Sequence, residues 1–402
     1  MGGHSAADSA SGYLYQVRYA LYAALSRQKS EPGLSVSIET YDDVAFDDGG
    51  SPKERIQTKH TRTAKTLSDY AVEFWKTFGI WLDVVKDRPE ELGRTKLILV
   101  STAKVAEGSG LSFLRPEGRG RNIDKALPPL LKVAKDAKNE ALADVFAAFE
   151  NTESALRSAL LDMIVVLDAS PNIVDVHGQI RHLLRHAVTE QQMDAFLERL
   201  EGWWFTVAIL ALAGVVKASI PVSIIDAKVQ ELREQFGPDK LPVDYAFDDP
   251  SEELVAVLDS RPFVEQLRLV RVGPRRIRAA ITEYFRAFRQ RSRWTREQLL
   301  MDGELLKFNK RLADAWNKRF GKAEELLGKG ATEDELVKAG VEVYDWACDQ
   351  NYPLRGVSEP FWTQGSFQML ANRKKVGWHP EFDNRIQLKT DQGDDDDDPA
   401  LA

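Results

Sequence analysis

Residues 36–60 read VSIETYDDVAFDDGGSPKERIQTKH, with Glu39, Asp42 and Asp43 inside five positions and, after a turn, Gln57 and Lys59 two apart. Carboxylates and a carboxamide oxygen are hard ligands suited to Mg2+. A lysine ammonium beside them can orient a water molecule and offset charge developing on a phosphate. Strand residues i and i+2 point the same way, roughly 6 to 7 Å apart, so Gln57 and Lys59 can converge on one ion. These are the residue types of a divalent-metal phosphodiesterase site. Asp-Asp and Asp-Gly pairs are equally at home in turns, and a Gln-x-Lys tripeptide arises readily by chance, so the surrounding elements must decide.

The segment SGYLYQVRYALYAALSRQ, from Ser11, spaces Leu14, Val17, Leu21 and Leu25 three and four apart, the pattern of an amphipathic helix with Ser11 as N-cap. Residues 34–46 predict a single strand with Val36, Ile38, Val44 and Phe46 on one face and Glu39, Tyr41 and Asp43 on the other. A bulge there would exchange Asp42 and Asp43, so either can be the ligand. DDGGSP at 47–52 is turn chemistry, after which KERIQTKH resumes an extended run with Arg55, Gln57 and Lys59 sharing a face. LSDYAVEFWKTFGIWLDVVK (67–86) predicts a second helix capped by Ser68, and KLILVST (96–102) a strand buried on both sides. Helix, strand, strand, helix, strand is the order of a mixed α/β unit. The loop LRPEGRGRNIDK (114–125), rich in Gly and Arg, is expected to be mobile, and beyond residue 126 helical periodicity takes over. The resulting division is a flexible lead (1–10), an α/β domain with a mixed sheet flanked by helices (11–150), a mostly α-helical region (151–388) and an acidic, disordered tail (389–402).

Composition narrows the function classes. With 43% hydrophobic and 29% charged residues the chain is an ordinary globular sequence, and its single cysteine, Cys348, excludes a disulfide framework or a Cys-cluster zinc site. The net charge of −8 argues against a nucleic-acid partner only superficially, because Asp391 and Asp394 to Asp398 supply six charges from the tail, leaving the body at about −2. The apolar window WWFTVAILALAGVV (203–216) is shorter than the roughly 20 residues a membrane helix needs and reads as a buried core helix. The N-terminus carries no basic region followed by an apolar run, so a cytoplasmic protein without membrane association is expected. Neither a serine-nucleophile elbow nor a Gly-rich phosphate loop ending in Lys-Ser/Thr occurs, so an ATPase, if one takes part, is another polypeptide. His379, between Trp378 and Pro380, has no second metal-type ligand near it in sequence and reads as a packing or turn residue.

Residues 271–296, RVGPRRIRAAITEYFRAFRQRSRWTR, hold nine arginines and one acid, Glu283. Arg275, Arg278, Arg286, Arg289, Arg293 and Arg296 recur at helical spacing opposite a stripe of Ile277, Ile281, Phe285 and Phe288. Two readings stand together: a track for DNA phosphates, or a face that is solvated or docks an acidic partner.

With GYLYQ on the first helix, ETYDDV on the first strand and IQTKH on the second, the chain over roughly residues 11–105 resembles the restriction-endonuclease-like PD-(D/E)xK superfamily, in the variant where Gln replaces the second acid. It is especially similar to nuclease domains of bacterial anti-phage effectors, including the nuclease subunits of Lamassu and related three-component systems built round an SMC-like ABC ATPase. The resemblance implies a restriction-endonuclease-like fold and a Mg2+ (or Mn2+) cofactor. Asp43 matches the strand aspartate that binds metal, Gln57 the variable D/E/Q ligand and Lys59 the motif lysine, with Glu39 as a further metal and catalytic residue and Gln16 a polar residue of the first helix. It implies an endodeoxyribonuclease acting on double-stranded DNA in an anti-phage or anti-plasmid complex, as a homo-oligomer when active. QRSRWTREQLL, LADAWNKRF, GVEVYDWACDQNYPLRG and GSFQMLANRKKVGWHPEF resemble the helical C-terminal region of those effectors. That implies docking to the SMC-like ATPase and an accessory subunit. Gln at position 57 weakens the charge of the metal site and leaves slow or assembly-dependent activity open; the alternative is a catalytically silent DNA-binding or scaffolding adaptor.

Overall fold

The computed structural model describes residues 6–27, 31, 33–59, 66–136, 138–237, 239–328 and 330–387; residues 1–5, His60 and the acidic run at 391–398 lie outside them. The chain forms two compact units, one of residues 1–187 and 197–232, the other of 188–196 and 233–402. The elements running into the first are α1 (Ala6–Arg27), β1 (Ser35–Ile38), β2 (Val44–Asp48), β3 (Ser51–Lys59), β4 (Thr66–Leu67), α2 (Val72–Asp87), β5 (Lys96–Ser101) and β6 (Lys104–Val105). There follow α3 (Ile123–Asp136), α4 (Ala143–Asn151), α5 (Ser154–Met163), β7 (Ile164–Leu167), α6 (Ile173–Leu183), α7 (Met193–Leu212), β8 (Ile220–Pro221) and α8 (Val222–Gln235). Among the described residues, six strands form one mixed sheet in the order β7-β5-β3-β2-β1-β8, with β3, β5 and β7 parallel and the other neighbours antiparallel. The α/β expectation therefore holds: a mixed sheet flanked by helices, followed by a helical region.

Several local expectations change. α1 begins at Ala6, so the expected lead ends earlier and Ser11 lies inside the helix rather than capping it. Its buried stripe runs through Tyr15, Val17, Ala20, Leu21 and Ala24, leaving Leu14 exposed, because Tyr15 takes the inward position one residue on. The strand expected over 34–46 is a hairpin: Ile38 pairs with Val44, and Glu39, with φ of 53°, takes a left-handed conformation that interrupts any continuous strand. The next reversal follows the sequence. Gly49 (φ 59°) and Gly50 (φ 88°) are the two central residues joining β2 to β3, where two successive positive φ values favour glycine. α2 starts at Val72 with Ala71 as N-cap, and Ser68 accepts the Ala71 N–H with its carbonyl instead of capping with its hydroxyl.

β5 is buried as predicted, between β3 and β7. β7 itself is four residues, IVVL, too short to show a period, and it places the boundary expected near 150 inside the sheet-bearing unit. The loop expected to be mobile is tied down: Arg115 pairs with Asp168 at 2.8 Å, and Arg121 donates to the Ile164 carbonyl at 2.8 Å. Beneath the sheet, Trp75 and Phe78 of α2 meet Phe146 and Phe149 of α4 edge-on at 5.0 to 5.4 Å, a dry aromatic floor for the strands. The apolar window at 203–216 is not a buried helix. Trp204 and Ala208 are buried, Trp204 donating to the Val17 carbonyl, whereas Phe205, Ile209, Leu210 and Leu212 stay exposed, since only one face of α7 meets α1. No helix among the described residues is long and apolar enough to cross a membrane.

The second unit is built of α9 (Glu252–Leu258), α10 (Pro262–Leu269), α11 (Pro274–Arg296), α12 (Glu304–Leu326), α13 (Glu333–Cys348), α14 (Pro360–Asn372) and α15 (Phe382–Arg385). α11 buries Ile277, Ile281, Phe285 and Phe288, as its spacing predicts. It crosses α14 at Gly365, where an added Cβ would lie 2.1 Å from the Glu283 carbonyl oxygen. Gly365→Ala should therefore force the helices apart and cost about 1–3 kcal/mol of this unit's stability, read as an unfolding midpoint in urea. A variant as stable as the parent would show that the crossing is loose.

Burial also pushes the Glu283 carboxyl up to about 7 from its ordinary 4.5. A carboxyl raised in the folded state favours folding when protonated, so its contribution is full below about pH 4.5 and lost as pH rises through about 7. Glu283→Gln should accordingly raise the melting temperature at pH 8, by up to about 3 kcal/mol of stability, with the gain vanishing near pH 4.5. An equal gain at both pH values would mean that charge burial is not its origin.

Candidate active site

The hairpin turn between β1 and β2 and the C-terminal end of β3 bring the predicted residues together. Asp43, 9% exposed, is held by β3: its Oδ2 accepts the Thr58 N–H at 2.8 Å and the Thr58 hydroxyl at 2.9 Å, and its Oδ1 accepts the Gln57 amide at 2.5 Å. Asp42 Oδ1 accepts the same Gln57 nitrogen, and its Oδ2 accepts the Trp81 indole N–H at 2.8 Å. The Gln57 Oε1 accepts from Lys59 Nζ at 2.8 Å. Carboxylates can only accept and an ammonium can only donate, so this orientation of the Gln57 amide is the one the chemistry allows. One carboxamide therefore ties two aspartates to the lysine.

The choice between Asp42 and Asp43 dissolves for a geometric reason. Period-two alternation applies along a strand, but both residues precede β2 in the turn, where successive side chains are free to converge. Glu39 closes the other end of the turn, its N–H donating to the Asp43 carbonyl at 3.1 Å. Burial, then the charge of Asp43, pushes the Glu39 carboxyl up, against a hydrogen bond from Gln16. Burial likewise pushes the Asp42 carboxyl up, against the hydrogen bonds from Trp81 and Gln57. α1 brings Gln16 and, one turn earlier, Tyr13, whose hydroxyl pKa is raised by burial and then by Glu39. The GYLYQ string thus splits its work: Tyr13 and Gln16 reach Glu39, while Tyr15 is core and donates to the Pro171 carbonyl at 3.1 Å.

Residues the sequence did not single out hold this arrangement. Arg55 was expected on the face of Gln57 and Lys59; it is 3% exposed and forms a two-pronged pair with Glu91 at 2.8 and 2.9 Å while donating to the Tyr41 carbonyl at 2.7 Å. It fastens the Asp42–Asp43 turn to the 3-10 segment after α2. Trp81 and Thr58 bear on the aspartates directly, and no local pattern marks either as a polar partner.

The donor chemistry fits a hard divalent cation. Two adjacent carboxylates face one amide, with a third nearby. Gln16 Oε1 is buried with no hydrogen-bond partner among the described residues, an acceptor of the type such an ion takes. Against this, no group of three or more His, Cys, Asp or Glu side chains converges as a metal cage among the described residues. The oxygens that would hold Mg2+ are those of Asp42, Asp43 and Glu39 with the carboxamide of Gln16 and, once its NH2 group turns away from the aspartates, that of Gln57.

The arginines of α11 lie in the second unit and are mostly engaged by the chain's own acids. Arg278 grips Glu252 with two bonds of 2.6 and 2.8 Å, Arg286 pairs with Asp249 and Arg289 with Asp248, each at 2.9 Å, and Arg293 pairs with Glu297 at 2.8 Å. Arg275 and Arg296 are exposed. The acidic partners of this face are the segment 244–252 and Glu297 of the same chain, so four of the six arginines of the phosphate-track reading are already paired. His379 is fully buried; its Nδ1 accepts the Glu381 N–H at 3.0 Å, a turn role as expected.

Residues 263–386 match a family model described as C-terminal domain 7 of the ABC-three component (ABC-3C) systems. That match spans most of the helices of the second unit and associates the chain with those systems. No curated protein matches the chain.

Proposed function

We propose that the sheet-bearing unit is a Mg2+-dependent DNA endonuclease and that the chain serves as the effector of an ABC-three component anti-phage complex. The carrying observation is the bridge in which one Gln57 amide joins Asp42 and Asp43 while Lys59 closes on its oxygen. Asp43, locked by Thr58, and Asp42, locked by Trp81, present carboxylates without rotational freedom, which is the preorganisation a phosphoryl-transfer site needs. Lys59 Nζ stands beside them as the group that orients a water and meets charge on the phosphate. Bound among these oxygens, Mg2+ or Mn2+ supplies Lewis-acid polarisation and a more acidic water. Double-stranded DNA is the substrate. The resemblance to C-terminal domain 7 supports a subunit role, with an SMC-like ABC ATPase and an accessory protein as partners. The exposed apolar side of α7 supports it too, as surface of the kind a partner covers.

A second reading rests on a specific observation. Because the Gln57 amide nitrogen already hydrogen-bonds both aspartates and no three-acid cage forms among the described residues, the unit suits a silent DNA-binding or scaffolding adaptor. The test is plasmid cleavage by the purified chain, alone and with its partner subunits, in Mg2+, Mn2+ or EDTA. Cutting that needs the metal supports the nuclease; no cutting in the complete complex with either metal leaves the adaptor.

A further inference from the structure

The two long basic helices of the second unit differ in one respect that matters for function. On α11 the arginines are neutralised by carboxylates of the same chain, as described above. On α12, Lys307, Lys310, Arg311 and Lys318 recur along one face at helical spacing, opposite the buried stripe of Phe308, Leu312, Trp316 and Phe320, with the half-buried Arg319 at the edge of that stripe. Lys307, Lys310 and Lys318 are exposed; Lys307 feels the Glu304 carboxylate one turn earlier, and Lys310 and Lys318 point into the cleft. All five cations line a cleft of about 760 Å³ in which Asp314 is the lone carboxylate. Its far wall is Trp346, Gln350 and Tyr352. A smaller cleft of about 350 Å³ shares Lys307 and Arg311 but is also lined by Asp302 and Glu304, so the basic surface ends at the first opening.

The cations at the wall are also held in place. Arg311 donates to the Pro353 carbonyl at 2.6 Å and lies 5.5 Å over the ring of Tyr352, which fixes both groups at the cleft. The Trp346 ring is braced edge-on by Phe367, 5.9 Å between centroids. Arg319 reaches Glu342 at 3.7 Å, and its Nε is buried without a hydrogen-bond partner among the described residues. An excess of cations on one side and fixed aromatic rings on the other are the two halves of a single-strand nucleic-acid site, in which the cations follow phosphates and the rings receive bases.

We propose that this cleft binds single-stranded nucleic acid. From Lys307 to Lys318 the helix rises about 16 Å, enough for several successive phosphates of an extended strand. A duplex keeps its bases stacked inside and would leave Trp346 and Tyr352 without a role. An acidic peptide would engage the lysines and leave the rings equally idle. The site is separate from the candidate active site in the sheet-bearing unit, and binding there needs no cleavage.

The test is fluorescence anisotropy of labelled dT12 with the full chain in EDTA, which silences any metal-dependent cutting. Lys310→Glu/Lys318→Glu is compared with the parent and with Lys338→Glu, an exposed lysine outside the cleft. The expected results are binding that weakens with salt at a log–log slope of about −2, for roughly three phosphates, and quenching of Trp346 emission. The double variant should bind at least about tenfold more weakly, Lys338→Glu should bind as the parent does, and all three should melt alike. Absence of dT12 binding, or equal binding by the double variant, overturns the proposal. So does a hexa-aspartate peptide that binds the cleft more tightly than dT12 and displaces it, which would assign the surface to an acidic protein segment. Loss of plasmid cleavage in Lys59→Ala with dT12 binding intact would separate the two sites.

Discussion

Lys59→Ala is expected to lower metal-dependent DNA cleavage by about 10²–10³-fold, the usual cost of removing one preorganised group that meets transition-state charge. Lys59 is the last residue of β3, half-buried, and its Nζ donates at 2.8 Å to the Gln57 oxygen whose amide joins Asp42 and Asp43. Its removal takes away no core packing, so stability should stay within about 0.5 kcal/mol. Lys59→Arg is the informative companion. It restores the positive charge but replaces a compact ammonium with a planar fork, and should recover only part of the rate. Both are measured as initial rates on supercoiled plasmid, in the complete complex if the chain alone is silent, beside a melting curve. A Lys59→Ala protein that cuts at the parental rate would remove the nuclease reading of this site.

Arg55→Leu should destabilise the sheet-bearing unit by about 3–5 kcal/mol, because it leaves the buried Glu91 carboxylate with only the half-exposed Arg88, 3.5 Å away, as a counter-charge. Arg55 and Glu91 are 3% and 7% exposed as side chains and share two hydrogen bonds below 3 Å. The same guanidinium holds the Tyr41 carbonyl, so the turn carrying Asp42 and Asp43 loses its anchor together with the ion pair. Arg55→Leu/Glu91→Leu separates the effects. With both charges gone most of the stability should return, because an apolar pair of similar volume often replaces a buried ion pair without loss. The tie to Tyr41 does not return, so cleavage should remain low in the double variant. Equal melting temperatures for Arg55→Leu and the parent would mean that the pair contributes no stability.

Much of the site was legible because its signals are local. Glu39, Asp43, Gln57 and Lys59 lie on two short segments joined by a glycine turn whose geometry the sequence specifies. The α/β order was legible from periodicity, and the buried strand β5 from its continuous apolar run. Where alternation was extended across residues 39–43 it failed, because a tight turn has no faces; the hairpin brings Asp42 and Asp43 to the same amide.

What only the tertiary structure decided is pairing between segments remote in the chain. The arginine spacing on α11 was correct, yet its meaning depended on Asp248, Asp249 and Glu252, which no period links to it. The apolar window in α7 was correct as composition, yet exposure depends on which neighbour covers which face, and Phe205 and Ile209 are left uncovered. Trp81, 39 residues from Asp42, and Glu91, 36 from Arg55, are polar partners made by packing. The sequence by itself determined which side chains have the chemistry and the local conformations that present them. The long-range fold determined which charges are neutralised and which are left to act, because Coulomb energy and desolvation depend on distance and burial in space, and a linear sequence states neither.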